Sequence, residues 1–220
     1  VVDLDELHSA LEAVADPSRA PAMAAYMKDR FSFLGVSSTD RRRVQGPFVA
    51  ETLAEGPDAA LAAAGALWLE PERELQYVAC DLLRRAGRRL PASALGEVHD
   101  LVASKSWWDT VDSLAKVVGD LVLTHPELAA ELDSWVLDDD LWVARAAILH
   151  QLGWKERACP EVVFRYCGSR IDEPDFFIRK AIGWALRDLA RTYPEEVWAW
   201  VDDHPGLSGL SRREATKHRR

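Results

Sequence analysis

Residues 105–113 read KSWWDTVDS, which sets a tryptophan, Trp108, four positions before a carboxylate, Asp112. Positions four apart on a helix lie on one edge. The spacing predicts a helix over 106–124. Turning it by about 100° per residue gathers Val111, Leu114, Val118, Leu121 and Val122 on one side, with Trp107 in their midst. Trp107 is therefore core, Trp108 stands at the border of core and surface, and Asp112 lies about 40° from Trp108 on the side away from the apolar cluster. An indole face attracts a delocalised cation by roughly 0.5–2 kcal/mol, and a nearby carboxylate adds charge attraction. The plainer alternative is an indole that packs and an aspartate that makes a surface ion pair. Asp109, in the first turn, complements the positive end of the helix dipole.

A second helix, DFFIRKAIGWALRDLAR, repeats the arrangement. Ile178, Ile182, Ala185 and Leu189 form its apolar stripe, while Lys180, Trp184, Arg187 and Arg191 form another nearly opposite. Trp184 is thus expected off the core face among cations; the alternative is an indole plugging a gap between helices. A third helix, LWVARAAIL, holds Arg145 among apolar neighbours. A buried guanidinium needs solvent, a phosphate or a carboxylate, for which Asp112 and Asp109 are the candidates. Further basic residues stand in TDRRRV (Arg41, Arg42, Arg43) and in SRREATKHRR, which includes Arg212 and Arg213. Ordinarily such runs are solvated faces; as phosphate contacts they suit a polyanion. A ligand with a cationic part on an anionic backbone would fit aromatic, acidic and basic features together.

The elements that must position these residues are helices. The chain has 220 residues, 48% hydrophobic and 29% charged, a globular composition. Apolar spacing is of the three-and-four kind throughout, and no strand-like alternation holds. Proline marks expected helix starts at Pro71, Pro126, Pro174 and Pro194. About a dozen short helices follow, recurring as pairs at roughly 35 to 45 residues, the range of helical repeats. The reading is an all-α protein, one domain over 1–220: an α-solenoid of helical pairs with one concave binding face. An irregular helical bundle is the alternative.

Bulk properties exclude several classes. No apolar run approaches the roughly 20 residues that cross a bilayer, and the N-terminal VVDLDELHSALEAVAD is acidic and amphipathic, unlike a signal peptide. The sequence opens without Met and is read as trimmed. Cys80, Cys159 and Cys167 are too few and scattered for a disulfide framework, and no Cys/His spacing suggests zinc. They are read as reduced thiols of a cytoplasmic protein. The net charge of −9 argues mildly against a nucleic-acid partner, although its distribution matters more than its total.

The blocks AYMKDRFSFLGVSSTDRRR (25–43), KSWWDTVDS (105–113), LWVARAAIL (141–149), FFIRKAIGWALRDLA (176–190) and LSRREATKH (210–218) resemble, in order along the chain, the AlkD-type DNA alkylation repair glycosylases. That family is built of HEAT-like repeats. The resemblance implies that Trp108, Asp112 and Trp184 form a catalytic cleft, that Arg145 contacts DNA near the lesion, and that Tyr26, Ser38 and Arg42 hold the backbone. Lys180, Arg187, Arg212 and Arg213 are the other expected DNA contacts. It further implies a monomeric, monofunctional N-glycosylase that excises cationic N3- and N7-alkylated purines from duplex DNA without flipping them, with no cofactor and no metal. An alkylated purine leaves as a neutral base, so little acid catalysis is needed, and a carboxylate can stabilise the oxocarbenium-like sugar. The alternatives are a non-catalytic binder of damaged DNA and a helical-repeat interaction scaffold.

Overall fold

The computed structural model of the chain describes residues 4–219. These residues fold into fourteen α-helices and three short 3-10 turns, and the one β-type pairing among them is an isolated bridge between Ser32 and Glu72. The helices are α1 (Leu4–Glu12), α2 (Ala20–Tyr26), α3 (Ser38–Val44), α4 (Gly46–Glu55), α5 (Pro57–Leu69), α6 (Arg73–Ala86), α7 (Ala94–Ala103), α8 (Trp108–Thr124), α9 (Ala129–Trp135), α10 (Leu141–Leu149), α11 (Pro160–Ser169), α12 (Phe176–Leu189), α13 (Pro194–Asp203) and α14 (Gly209–Ala215). The all-α reading holds. No helix among the described residues is long and apolar enough to cross a membrane.

Proline punctuates as expected, in two ways. Pro194 is the first residue of α13 and Pro126 of a 3-10 turn, where a missing N–H costs nothing. Pro71 and Pro174 instead stand one residue before the caps of α6 and α12. Asp175 caps α12 by accepting hydrogen bonds from the N–H groups of Phe177 and Ile178. Asp140 caps α10 through Trp142 N–H at 2.8 Å. The helix expected over 106–124 begins two residues later. Lys105 has a φ of 47° and Trp107 is extended, so KSW enters the helix rather than forming its first turn.

The chain divides into two compact units, residues 1–97 and 98–220. In the first, α4 and α5 pack on α6, and α3 contacts both α4 and α6. In the second, α8, α10, α12 and α14 form a series in which each helix contacts the next, and α11 contacts α13 alongside it. Each unit is therefore made of stacked helical pairs, the HEAT-like arrangement. The repeat is legible in the polar links. Asp112 and Arg145 are 33 residues apart, Arg170 and Val136 34, and Lys180 and Glu214 34. In the first unit Arg41 and Asp81 are 40 apart. Each of these contacts joins residues about one helical pair apart.

Two glycines permit the close approach that this stacking needs. A Cβ at Gly119 of α8 would stand 2.1 Å from the carbonyl oxygen of His150, at the end of α10. A Cβ at Gly183 of α12 would stand 2.5 Å from Cβ of Glu214 on α14. The glycine of the KAIGW block is thus a contact point between successive helices.

Candidate functional site

The α8 stripe is buried as its spacing requires: Val111, Leu114, Val118 and Leu121 are fully buried, and Trp107 is 7% exposed. Trp108 and Asp112 are both intermediate, one turn apart on the border of that stripe. Trp107 packs against Trp142 at 5.3 Å and Phe177 at 4.9 Å between ring centroids, and those two rings are 4.9 Å apart. This aromatic cluster joins the N-terminal ends of α8, α10 and α12, so the start of α8 is fixed by rings on two neighbouring helices.

Arg145 of α10 resolves the problem that its apolar neighbours posed. It is 3% exposed. Its Nε donates to Asp112 Oδ1 at 2.8 Å and its Nη2 to Asp112 Oδ2 at 3.0 Å, a two-point pair that holds the carboxylate in the guanidinium plane. Its Nη1 donates to the carbonyl oxygen of Phe177 at 2.5 Å. One side chain on α10 therefore ties α8 to α12. As placed, Arg145 reaches a carboxylate and not solvent, so a phosphate contact requires that pair to open. The Asp112 side chain keeps 16% of its surface. Burial raises its carboxyl above the ordinary carboxylate value; the hydrogen bonds and charge of Arg145 oppose this, Asp109 adds to it and Lys116 opposes it. The result is a fixed, partly desolvated carboxylate one helical turn from Trp108, of a kind suited to stabilising positive charge.

On α12, Ile178, Ile182, Ala185 and Leu189 are buried while Lys180, Trp184 and Arg187 are intermediate, so Trp184 does lie off the core face among cations. Lys180 and Arg187 meet a partner that the sequence reading did not foresee. Both donate to Glu214 of α14, Lys180 Nζ at 2.6 Å and Arg187 Nη1 at 2.5 Å. Lys180 first, then the charges of both cations, hold the Glu214 carboxyl below its ordinary value. The signal was present in the repeat spacing, because Glu214 falls one pair after Lys180. Arg212 donates to the carbonyl oxygen of His204 at 2.9 Å, and Arg213 is exposed.

The first unit holds the remaining expected residues. Tyr26 ends α2 and is 68% exposed. Ser38 is the first residue of α3, and the preceding Ser37 is its cap, the Ser37 Oγ accepting from Asp40 N–H. Ser38 and Arg42 are exposed. Arg41, in the same basic run, is not a solvated residue: it is 6% exposed and donates to Asp81 at 2.7 Å. The loop ahead of α3 is shaped by Glu74, a fully buried carboxylate that accepts from the backbone N–H groups of Leu34, Gly35 and Val36 at 3.0–3.1 Å. Gly35 has a φ of 87°, and a Cβ there would lie 2.0 Å from the carbonyl oxygen of Asp16.

Comparison with known proteins bears on this geometry. Residues 7–218 match the family model described as DNA alkylation repair enzyme. Among solved structures, a "predicted DNA alkylation repair enzyme" from Enterococcus faecalis is 30% identical, with 93% of this chain and 96% of that one covered at a TM-score of 0.84. AlkD2 from Streptococcus mutans is 17% identical, with 90% and 98% covered at a TM-score of 0.65. The smu.31 protein from Streptococcus mutans UA159 is 18% identical, with 81% and 96% covered at 0.62. The last two likenesses are of fold. No curated protein matches the chain.

Proposed function

The chain belongs to the family of DNA alkylation repair enzymes, and from that premise we propose that it is a monofunctional N-glycosylase acting on duplex DNA that carries cationic N3- or N7-alkylated purines. The observation that carries the proposal is the Asp112 carboxylate, held at two points by Arg145 and placed one helical turn from the half-exposed Trp108.

The chemistry follows from charge. An alkylated purine already carries the positive charge that an acid would otherwise supply. When the C1′–N bond breaks, its electron pair returns to the ring and the base departs neutral. Positive charge passes to C1′ and the ring oxygen of the sugar, and water adds at C1′ with release of a proton. Asp112 is the catalytic residue, stabilising the oxocarbenium-like sugar by charge. Burial makes its carboxylate more effective, since a charge in a poorly solvated site acts more strongly on its neighbour. The Trp108 and Trp184 indoles present faces to the cationic base. Arg145 is a positioning residue in this reading, fixing the plane of the carboxylate, and contacts phosphate only when its pair opens. Tyr26, Ser38, Arg42, Lys180, Arg187, Arg212 and Arg213 are proposed as backbone contacts. Lys180 and Arg187 reach DNA while sharing Glu214.

The test is incubation of the protein, in excess, with duplex containing 7-methylguanine, followed by measurement of abasic sites. The expected result is excision that Asp112→Asn sharply lowers. Salt-dependent binding with no abasic sites assigns the chain to non-catalytic recognition of damaged DNA, and no salt-dependent binding at all assigns it to a scaffold.

A further inference from the structure

A cluster of metal-ligand types lies in the first unit, on residues that take no part in the proposed excision. His8 is on α1, and Glu70 and Glu72 flank Pro71 in the connection from α5 to α6. Folding brings His8 Nε2 to 3.5 Å from Glu70 Oε2 and 3.6 Å from Glu72 Oε2, and the three potential donor atoms lie within 4.8 Å of one another. On its far side, His8 Nδ1 faces Glu12 Oε1, one turn further along α1, at 3.8 Å. Glu72 Oε2 is buried and receives no hydrogen bond from the described residues.

From this geometry we propose a binding site for one divalent transition ion of the zinc class, with His8 Nε2, Glu70 and Glu72 as protein ligands and the remaining position open to water. Three observations converge. The first is distance. Zinc–nitrogen and zinc–oxygen bonds of about 2.0–2.2 Å in a tetrahedron put neighbouring donors roughly 3.3–3.5 Å apart, close to the spacing of His8 Nε2 from both carboxylates. The second is an orphaned oxygen. His8 Nε2 can donate to only one of the two acids facing it, and the buried Glu72 Oε2 receives no hydrogen bond from the described residues. A dication gives that oxygen a partner. The third is the outer contact. A ligating histidine typically offers its other ring nitrogen to a carboxylate that fixes the tautomer, and Glu12 stands where that carboxylate belongs. One nitrogen and two carboxylate oxygens favour a transition ion over magnesium, which retains most of its waters. The bound ion ties α1 to the α5–α6 connection and is not part of the excision chemistry.

The experiment uses the full chain without an affinity tag, stripped with chelator and carrying Cys159→Ser, because Cys159 is exposed beside Glu161 and could bind zinc itself. Titration calorimetry with Zn²⁺ should show one equivalent bound, with no comparable heat from Mg²⁺, and thermal melting should shift upward with Zn²⁺. His8→Ala and Glu72→Gln should each weaken binding by more than tenfold, and Glu12→Gln by about tenfold, as for loss of an outer-shell partner. Glu72→Gln preserves side-chain size, so it decides the matter if His8→Ala does not fold. Zinc binding should persist in Asp112→Asn, and chelation should leave excision unchanged, which separates this site from the glycosylase reading. Absence of saturable zinc binding, or binding that His8→Ala and Glu72→Gln leave intact, reduces the cluster to a histidine–carboxylate ion pair and overturns the proposal.

Discussion

Two places in the molecule are built from the same three parts. In the first unit Tyr77 precedes Asp81 by four residues on α6, and Arg41 of α3 pairs with that aspartate. In the second unit Trp108 precedes Asp112 by four residues on α8, and Arg145 of α10 is the partner. They differ in how the arginine is used. Arg41 touches Asp81 through one nitrogen, and Gln45 donates to the same Oδ2 at 2.9 Å while accepting from Arg41. The guanidinium also lies over the Tyr77 ring, 5.4 Å from its centroid, so the aromatic face attracts the protein's own cation. Arg145 grips both oxygens of Asp112 edge-on and is braced from behind by the Phe177 carbonyl. The first arrangement closes on itself. The second fixes a carboxylate in a chosen plane. The same three parts thus give two geometries, and under the proposed function only the carboxylate held at two points takes part in excision.

The comparison is broken most directly by exchanging the fates of the two aspartates. Asp112→Asn should lower excision of 7-methylguanine by on the order of 10²-fold or more, with helix content unchanged by circular dichroism. Asp81→Asn should leave excision near wild type and destabilise by about 1–2 kcal/mol, as expected for hydrogen bonds to a partly exposed charge. Equal losses of activity in the two variants would sink the distinction.

Next in size is Arg145→Met, which removes the cation from the second pair. It should destabilise by about 2–3 kcal/mol, because Asp112 is left partly buried without its partner. It should also move the pH profile. Under the proposed function the active form of Asp112 is ionised, so excision should fall as pH falls through its folded pKa, which burial places above the ordinary 3.8. Arg145 opposes that rise, so Arg145→Met should shift the acid limb to higher pH. A limb that stays put, or moves down, contradicts the assigned positioning role.

His150 sets the acid boundary within which this limb can be read. Burial lowers its pKa from 6.5 to about 4. Between these values the unfolded chain binds the proton and the folded chain does not, so stability is full above pH 6.5 and falls as pH drops toward 4. The loss should amount to about 2–3 kcal/mol, measured by denaturant unfolding across that window. His150→Gln should flatten it without moving the acid limb of excision.

The smallest effect separates exposed from shared cations. Arg42→Ala should reduce the salt slope of DNA binding by about one unit, since Arg42 lies exposed on α3. Lys180→Ala should change the slope less, because Glu214 already offsets part of that charge.

The sequence by itself determined the helices and their faces. Three-and-four spacing is a local property of the chain, so it assigned Trp107 to the core, left Trp108 at the border and Trp184 off the core face, and buried the α8 and α12 stripes. The family blocks, each contiguous, were legible for the same reason. Tertiary structure decided partnership. That Arg145 faces Asp112 and not Asp109, that Phe177 lends a carbonyl, that Lys180 and Arg187 converge on Glu214, and that His8 meets Glu70 and Glu72 all depend on where one helix settles against another. Polar contacts of this kind join residues about one repeat apart or further, and their register is set by how closely helices pack at points such as Gly119 and Gly183. Helical periodicity fixes the direction in which a side chain leaves its own helix; only the packed neighbour fixes what it meets there.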